Sequence, residues 1–174
     1  MLTIIVNQTL GILTIIAQIF SILLFIFFFT KKSLPNFLKR NILLIAFAVV
    51  LIATLGSLTY SEIIGYEPCK LCWFQRIFMY PQVILLGMAL IKKDYKIASY
   101  SIILSIIGAV IAGYHYLLQL GFAPNLPCSA IGYSVSCSQK FVMQFGYITI
   151  PMMAFSAFVL IALLFAGYYQ NKNN

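Results

Sequence analysis

The chain has 174 residues, of which 63% are hydrophobic and only 8% are charged, and its formal net charge is +8. So little polar surface cannot cover a water-soluble core, which excludes a soluble globular protein and predicts a chain that lies in membrane lipid. The Lys and Arg residues occur in short clusters between apolar runs, a pattern that fixes orientation in a membrane. We therefore expect no nucleic-acid partner despite the positive charge.

Five apolar stretches are each long enough to cross a bilayer, which requires about 20 residues per helix. They cover residues 2–29, 42–60, 73–91, 97–120 and 147–168. The stretches are continuously apolar, whereas the strands of a membrane barrel alternate apolar and polar residues. The sequence therefore predicts an all-α integral membrane protein with five spans. Pro81 and Pro151 fall inside two of the spans, where transmembrane helices tolerate proline.

The first stretch differs from a signal peptide in three respects. No basic residue precedes it, its apolar run is too long, and no small-residue cleavage site follows it. We expect residues 1–30 to be retained as an additional N-terminal transmembrane helix.

The basic residues between spans predict the orientation of the chain. The first and third connections contain Lys31, Lys32, Lys39, Arg40, Lys92, Lys93 and Lys96. Short basic loops stay in the cytoplasm, so we expect these two connections there, together with the C-terminus. The N-terminus and the loops 61–72 and 121–146 are then expected outside.

These two outer loops contain all four cysteines. Cys69 and Cys72 lie in the first loop, and Cys128 and Cys137 lie in the second. Disulfides persist on the oxidising side of a membrane and are rare in the cytosol, so this placement indicates disulfide chemistry. Four cysteines allow three pairings, and the most economical joins Cys69 to Cys72 and Cys128 to Cys137.

The first pair is a C-x-x-C motif at the start of the third span. Pro68 ends the preceding loop and leaves Cys72 in the first helical turn, where the unpaired backbone N–H groups favour a thiolate. Arg76 lies one turn deeper and can support a Cys72 thiolate or bind a ligand oxygen. Alternatively, its side chain merely extends to the membrane surface.

His115 is the only histidine, and it lies in the outer part of the fourth span. An ionisable group within the membrane is a candidate functional residue. The alternative is an ordinary hydrogen bond to a neighbouring helix. The depth of His115 resembles that of Arg76, so we expect both side chains to face one pocket.

The second cysteine pair lies in a loop marked by Pro124, Pro127 and Gly132, which predicts mobility. Mobility suits thiol-disulfide exchange. The alternative is a structural disulfide between Cys128 and Cys137, whose ten-residue loop would give somewhat less than about 3 kcal/mol of stabilisation.

After Cys137, the apolar residues Phe141, Val142 and Phe145 recur at helical spacing. This pattern predicts a short helix in the membrane interface over residues 138–145. A simple turn leading into the fifth span is an equally consistent interpretation.

The combined pattern resembles the disulfide bond formation protein B (DsbB) family and its shorter BdbC-type relatives. Arg76 follows the C-x-x-C motif by four residues, His115 precedes Cys128 by thirteen, and Cys137 is followed by a last span containing Pro151. The resemblance covers roughly residues 42–168. Residues 1–30 have no counterpart in the usual four-span pattern, and Gln75 stands where some relatives carry an acid. The role of the additional helix, as a partner contact or an assembly surface, stays open.

The resemblance implies a DsbB-like four-helix bundle over residues 41–170 in the bacterial plasma (inner) membrane. It implies an enzyme that reoxidises a DsbA-like thioredoxin-fold oxidase and passes the electrons to a membrane quinone, either ubiquinone or menaquinone. Cys128 would form the mixed disulfide with the partner, and Cys137 would exchange with the Cys69–Cys72 disulfide. Cys72 would then pass the electrons on.

For the remaining two site residues, the resemblance implies that Arg76 and His115 contact the quinone oxygens, where they balance the charge that develops on reduction. It implies no metal. Three other interpretations compete. The vitamin K epoxide reductase-like family also joins a C-x-x-C motif to a loop pair, but there the loop pair comes first in the chain. The four cysteines could instead bind zinc or another soft metal, or form two purely structural disulfides.

Overall fold

The computed structural model describes residues 1–30, 34–122 and 136–173, with side chains up to residue 170. Five long helices form this part of the chain: α1 (Leu2–Phe29), α2 (Asn36–Leu58), α3 (Lys70–Lys92), α4 (Ile97–Gln119) and α5 (Ile150–Asn173). A π-helical turn, Thr59–Ile63, extends α2. All five helices are long and apolar enough to cross a membrane, and no β-strand occurs among the described residues, which confirms the predicted all-α membrane fold.

The helix ends differ from the ends of the apolar runs. Helix α2 begins at Asn36, six residues before the predicted span, and carries Lys39 and Arg40 in its first turns. Helix α3 likewise begins at Lys70 rather than at residue 73. Backbone hydrogen bonding continues beyond the hydrocarbon layer, where polar side chains of a helix are solvated, so hydropathy alone places these two helix starts too late in the chain.

Helices α2 to α5 form a four-helix bundle in which α2 packs on α3, α3 on α4, α4 on α5 and α5 on α2. Helix α5 supplies much of the core, including the fully buried Phe158, Ile161, Leu164 and Phe165. Gly108 on α4 allows a close approach, because a Cβ atom at this position would overlap the Phe158 ring. Helix α1 packs mainly on α5, outside this bundle.

A buried polar layer joins α3 to α4 within the membrane-spanning part of the bundle. The side-chain carbonyl of Gln82 accepts hydrogen bonds from Ser101 Oγ and Ser105 Oγ, and all three side chains are fully buried. Polar groups in an apolar environment need such partners, so this layer contributes to the packing of α3 against α4.

Helix α1 is held by polar contacts as well as by packing. Its buried face consists of Gly11, Thr14, Ser21 and Leu24, three of which are small. Tyr60 Oη donates to Asn7 Oδ1 at 3.0 Å, and Gln18 Nε2 donates to Ser156 Oγ on α5 at 3.1 Å. Small residues and interhelical hydrogen bonds are the usual means by which helices associate in lipid, so these contacts fix the position of α1 on the bundle.

The two cysteine-bearing connections meet at the same end of the bundle, where Tyr66 stacks on Phe141 with ring centroids 4.9 Å apart. The interfacial helix predicted over residues 138–145 is absent, so that prediction is wrong. These residues form turns, and the positive φ angles of Phe145 (51°) and Gly146 (81°) are incompatible with a continuous right-handed helix. A turn leads directly into α5, which was the alternative interpretation.

Candidate functional site

The C-x-x-C motif lies at the N-terminus of α3. Cys69 is the N-cap residue, and its sulfur accepts the backbone N–H of Cys72 at 3.4 Å. Both residues are free cysteines, with their Sγ atoms 2.9 Å apart. The disulfide expected between them is not formed in this structure. Cys69 is buried, whereas Cys72 is half-buried.

The structure and the sequence-based expectation disagree about which of the two cysteine sulfurs the N-terminus of α3 stabilises. The sequence placed the thiolate-favouring position at Cys72. In the structure Cys69 lies just outside the membrane-spanning helix α3, and the pKa of Cys69 is lowered. The Cys72 thiol, the His115 ring and the Cys72 backbone N–H all donate towards the Cys69 sulfur and lower its pKa, against burial, which raises it. An N-cap side chain reaches the N–H groups of the first turn, and Cys72 supplies one of these groups.

His115 is buried beside this sulfur, with 1% of its surface exposed. Its Nε2 atom lies 3.0 Å from the carbonyl oxygen of Cys137 and 3.7 Å from Cys69 Sγ. A carbonyl oxygen only accepts, so Nε2 must carry a hydrogen. In the neutral ring Nδ1 is then an acceptor, and Gln75 Nε2 donates to it at 2.9 Å. Gln75 thus fixes both the tautomer and the orientation of His115.

Cys137 is disulfide-bonded and fully buried, in a small cluster with Cys69 and Leu118. Cys128, predicted to pair with it, lies outside the described residues, as do Pro124, Pro127 and Gly132. Because Cys137 offers no free thiolate, a zinc site built from all four cysteines is not formed.

Cys69, Cys72 and His115 do present potential metal-ligand atoms within 4.8 Å of one another. The His115 nitrogen in this group is Nε2, which already carries the hydrogen donated to the Cys137 carbonyl. Its lone pair is therefore not free for a metal, and the trio is better suited to thiol chemistry than to coordination.

Arg76 lies one turn below Cys72 and does not extend to the membrane surface. Its Nε and Nη2 atoms donate to the hydroxyl and the backbone carbonyl of Ser57 on α2, at 3.1 and 3.2 Å. The guanidinium carbon also lies 5.2 Å from the Trp73 ring centroid and 5.9 Å from that of Tyr80. None of the three acidic side chains, all of which are described, forms an ion pair with it. Arg76 is therefore a fixed cation without a counter-charge.

A cavity of about 340 Å³ adjoins Cys72 and Arg76, a size typical of small-molecule sites. Its walls are almost entirely apolar and come from α1, α2, α3 and α5. His115 is not among the lining residues, because its ring lies beside Cys69 and Cys137, while Cys72 is the cysteine that lines the cavity. We therefore revise the expectation that Arg76 and His115 face one pocket.

Sequence reasoning missed two residues of this site. Gln75 was noted only as a departure from the acid of some relatives, and Ser57 was not singled out. Each had a signal, since a polar side chain inside an apolar span needs a partner on another helix. Neither partner could be identified without the packing of α3 against α2 and α4.

The chain is similar to proteins of disulfide bond formation. The family described as "Disulfide bond formation protein DsbB" matches residues 39–168. A "Probable disulfide formation protein C 1" of Bacillus anthracis is 48% identical over 127 residues, which cover 73% of this chain and 91% of that protein. "Disulfide bond formation protein C" of Bacillus subtilis is 46% identical over 120 residues, covering 68% and 85%. No solved structure gives a match.

Proposed function

This chain belongs to the DsbB family of disulfide bond formation proteins, and from that premise we propose that it reoxidises a thioredoxin-like, DsbA-type partner and transfers the electrons to a membrane quinone. The observation that carries the proposal is the position of the C-x-x-C pair between two environments. Cys69 is buried beside Cys137, whereas Cys72 opens onto an apolar cavity next to an unpaired cation.

The first half of the reaction is thiol-disulfide exchange. A thiolate of the reduced partner attacks Cys128 of the Cys128–Cys137 disulfide, forms a mixed disulfide and leaves the electron pair on Cys137. The second partner thiol then displaces Cys128, so that the partner gains a disulfide and the loop pair is reduced. Cys128 lies outside the described residues, and its role rests on the family resemblance.

The second half begins when Cys137 attacks the oxidised C-x-x-C pair. The buried cluster of Cys69, Cys137 and Leu118 makes Cys69 the sulfur within reach. A Cys69–Cys137 bond forms, the Cys69–Cys72 bond breaks, and the electron pair is left on Cys72. Cys128 then attacks Cys137, which re-forms the loop disulfide, breaks the Cys69–Cys137 bond and leaves Cys69 and Cys72 both reduced. The N–H of His115 bridges the Cys137 carbonyl and the Cys69 sulfur, so this side chain aligns the two cysteines and stabilises negative charge on Cys69.

The cavity fits a quinone by the chemistry of its lining. Its apolar walls suit a lipid-soluble ring and tail, and Arg76, held by Ser57 and lacking an ion pair, is placed to donate to a ring oxygen. A bound quinone would supply the acceptor for two electrons and two protons. Cys72 would face it, while His115 would stay with the sulfurs rather than contact a quinone oxygen. Either ubiquinone or menaquinone is compatible with these walls.

We further propose that the cysteine-bearing end faces the outside of the bacterial plasma membrane. Described basic residues cluster at the opposite end of the bundle: Lys39, Arg40, Lys92, Lys93 and Lys96. Such clusters favour the cytoplasmic side. Disulfides are made and kept on the other side, where the partner would be found.

The test is quinone reduction by the purified protein supplied with a reduced thioredoxin-fold oxidase, followed by the absorbance of the quinone. Native protein is expected to turn over, and Cys72→Ser and Cys128→Ser are expected to abolish turnover. Cys72→Ser should still oxidise one equivalent of the partner through its Cys128–Cys137 disulfide, which shows that the variant is folded. Native protein that turns over no quinone, with both disulfides formed, would refute the proposal and favour a structural role for the disulfides.

A further inference from the structure

The structure assigns a role to the additional helix: we propose that α1 is the wall of the quinone cavity that contacts the quinone's isoprenoid tail and so selects tailed quinones. This inference rests on the function proposed above. Residues 2–29 lie outside the family match, which begins at residue 39, so this wall is a property of this chain beyond the shared four-helix domain.

One face of α1 lines the cavity along the middle part of the helix. The lining residues from α1 are Leu10, Leu13, Thr14, Ile16, Ala17 and Phe20. They extend over eleven residues, or about 15 Å along the helix axis. That length is more than a quinone ring alone occupies, so α1 forms a continuous wall along an elongated ligand.

The cavity is polar at one end and apolar at the other. Glu67, Cys72 and Arg76 line it at the cysteine-bearing end, whereas Phe20 and Ile45 are the lining residues of α1 and α2 that are furthest from that end along each helix. A molecule with a reducible polar ring and an apolar tail matches this gradient, with the ring at Cys72 and the tail along α1. A ring without a tail would leave the deep part of the cavity without a ligand.

The position of α1 leaves the cavity accessible from the lipid. Near the cysteine-bearing end α1 touches α2, where Leu10 packs on Gly56 and would lie 3.1 Å from a Cβ atom there. Further along, the lining residues Leu13, Ile16 and Ile52 are exposed, with 38%, 56% and 42% of their surfaces accessible. The hydrogen bonds of Asn7 and Gln18 keep this spacing fixed.

The test compares substitutions on two faces of α1 in the full-length protein. Ala17→Phe and Leu13→Phe place a ring in the path of the tail, whereas Ile19→Phe, on a face that is 55% exposed and outside the cavity, is the matched control. Binding is measured by quenching of Trp73, the only tryptophan, whose ring lies against Arg76. We expect Kd for an isoprenoid quinone to rise about tenfold in the two cavity variants and KM to follow, with kcat little changed.

A tail-less quinone with the same ring provides the internal control. Its Kd should change by less than about twofold in all three variants, because the ring end of the cavity is intact. If the cavity variants bind the tailed quinone as the Ile19→Phe control does, α1 does not contact the tail, and the wall faces membrane lipid instead. If native protein shows no quenching by either quinone, the function proposed above falls together with this inference.

Discussion

Replacing His115 tests the central link of the site, because this side chain joins Cys69 to Cys137. His115→Leu removes the N–H that lies 3.0 Å from the Cys137 carbonyl and 3.7 Å from Cys69 Sγ, and it keeps an apolar side chain in the buried site. His115→Gln is the matched control, since its amide can donate from a similar reach. The difference between the two variants isolates the hydrogen bond from the loss of packing.

The magnitude follows from the geometry at the sulfur. A hydrogen bond to a charged group contributes about 1.5–3 kcal/mol. The bond to Cys69 is long and shares its hydrogen with the Cys137 carbonyl, so the lower end of that range applies. Because one pKa unit corresponds to about 1.4 kcal/mol, His115→Leu should raise the pKa of Cys69 by about one unit.

The assay is the pH dependence of alkylation at Cys69 by iodoacetamide, followed by mass spectrometry of the peptide. It is done in a Cys72→Ser background, which keeps a hydroxyl donor next to the sulfur. Only the thiolate reacts, so the lowered pKa of Cys69 keeps the reaction fast down to acidic pH. Loss of the His115 donor raises that pKa and moves the midpoint to higher pH, while His115→Gln stays near the native midpoint. Coinciding midpoints for His115→Leu and native protein would refute the assignment.

Two further predictions concern the cavity cation and the packing of the bundle. Arg76→Ala should raise KM for the quinone more than about tenfold without slowing exchange with the partner, and Arg76→Lys should fall between, because lysine cannot keep both bonds to Ser57. Equal KM values for the three proteins would contradict this. Gly108→Ala should destabilise the bundle by about 1–3 kcal/mol, since its Cβ overlaps the Phe158 ring, whereas Gly113→Ala meets only ordinary contacts. The measurement is thermal unfolding in detergent, and equal Tm values for Gly108→Ala and Gly113→Ala would refute that reasoning.

The five spans could be predicted from hydropathy because each is long and continuously apolar. The helix start at the C-x-x-C motif also follows from local chemistry, since Pro68 precedes it and the N-cap lies one residue later. The spacing of the two cysteines alone does not show which sulfur the helix terminus stabilises as a thiolate. Cys72 is in the first turn and donates its N–H, while the sulfur of the N-cap residue Cys69 receives it.

The contacts of His115 could not be predicted from the sequence either. Helices that are apolar on every side carry little information about which way each one faces, so the depth of Arg76 and His115 was predictable but their rotation was not. Packing of α3 on α4 brings Gln75 to His115 and turns Arg76 towards α2. The same limit applies to α1, whose apolar sequence predicts a span but not the cavity that it completes.

The hydrogen-bonded layer around Gln82 fixes the packing of α3 on α4 independently of the redox state of the cysteines. It lies seven residues from Gln75, about 10 Å along α3, and it keys α3 to α4 in one register through Ser101 and Ser105. Sliding either helix by a turn would break both bonds at once. In the proposed cycle the sulfurs at the cysteine end exchange partners, whereas the contacts that align Gln75 with His115 are never oxidised or reduced. The reactive end can therefore rearrange its covalent bonds repeatedly on a template that does not change.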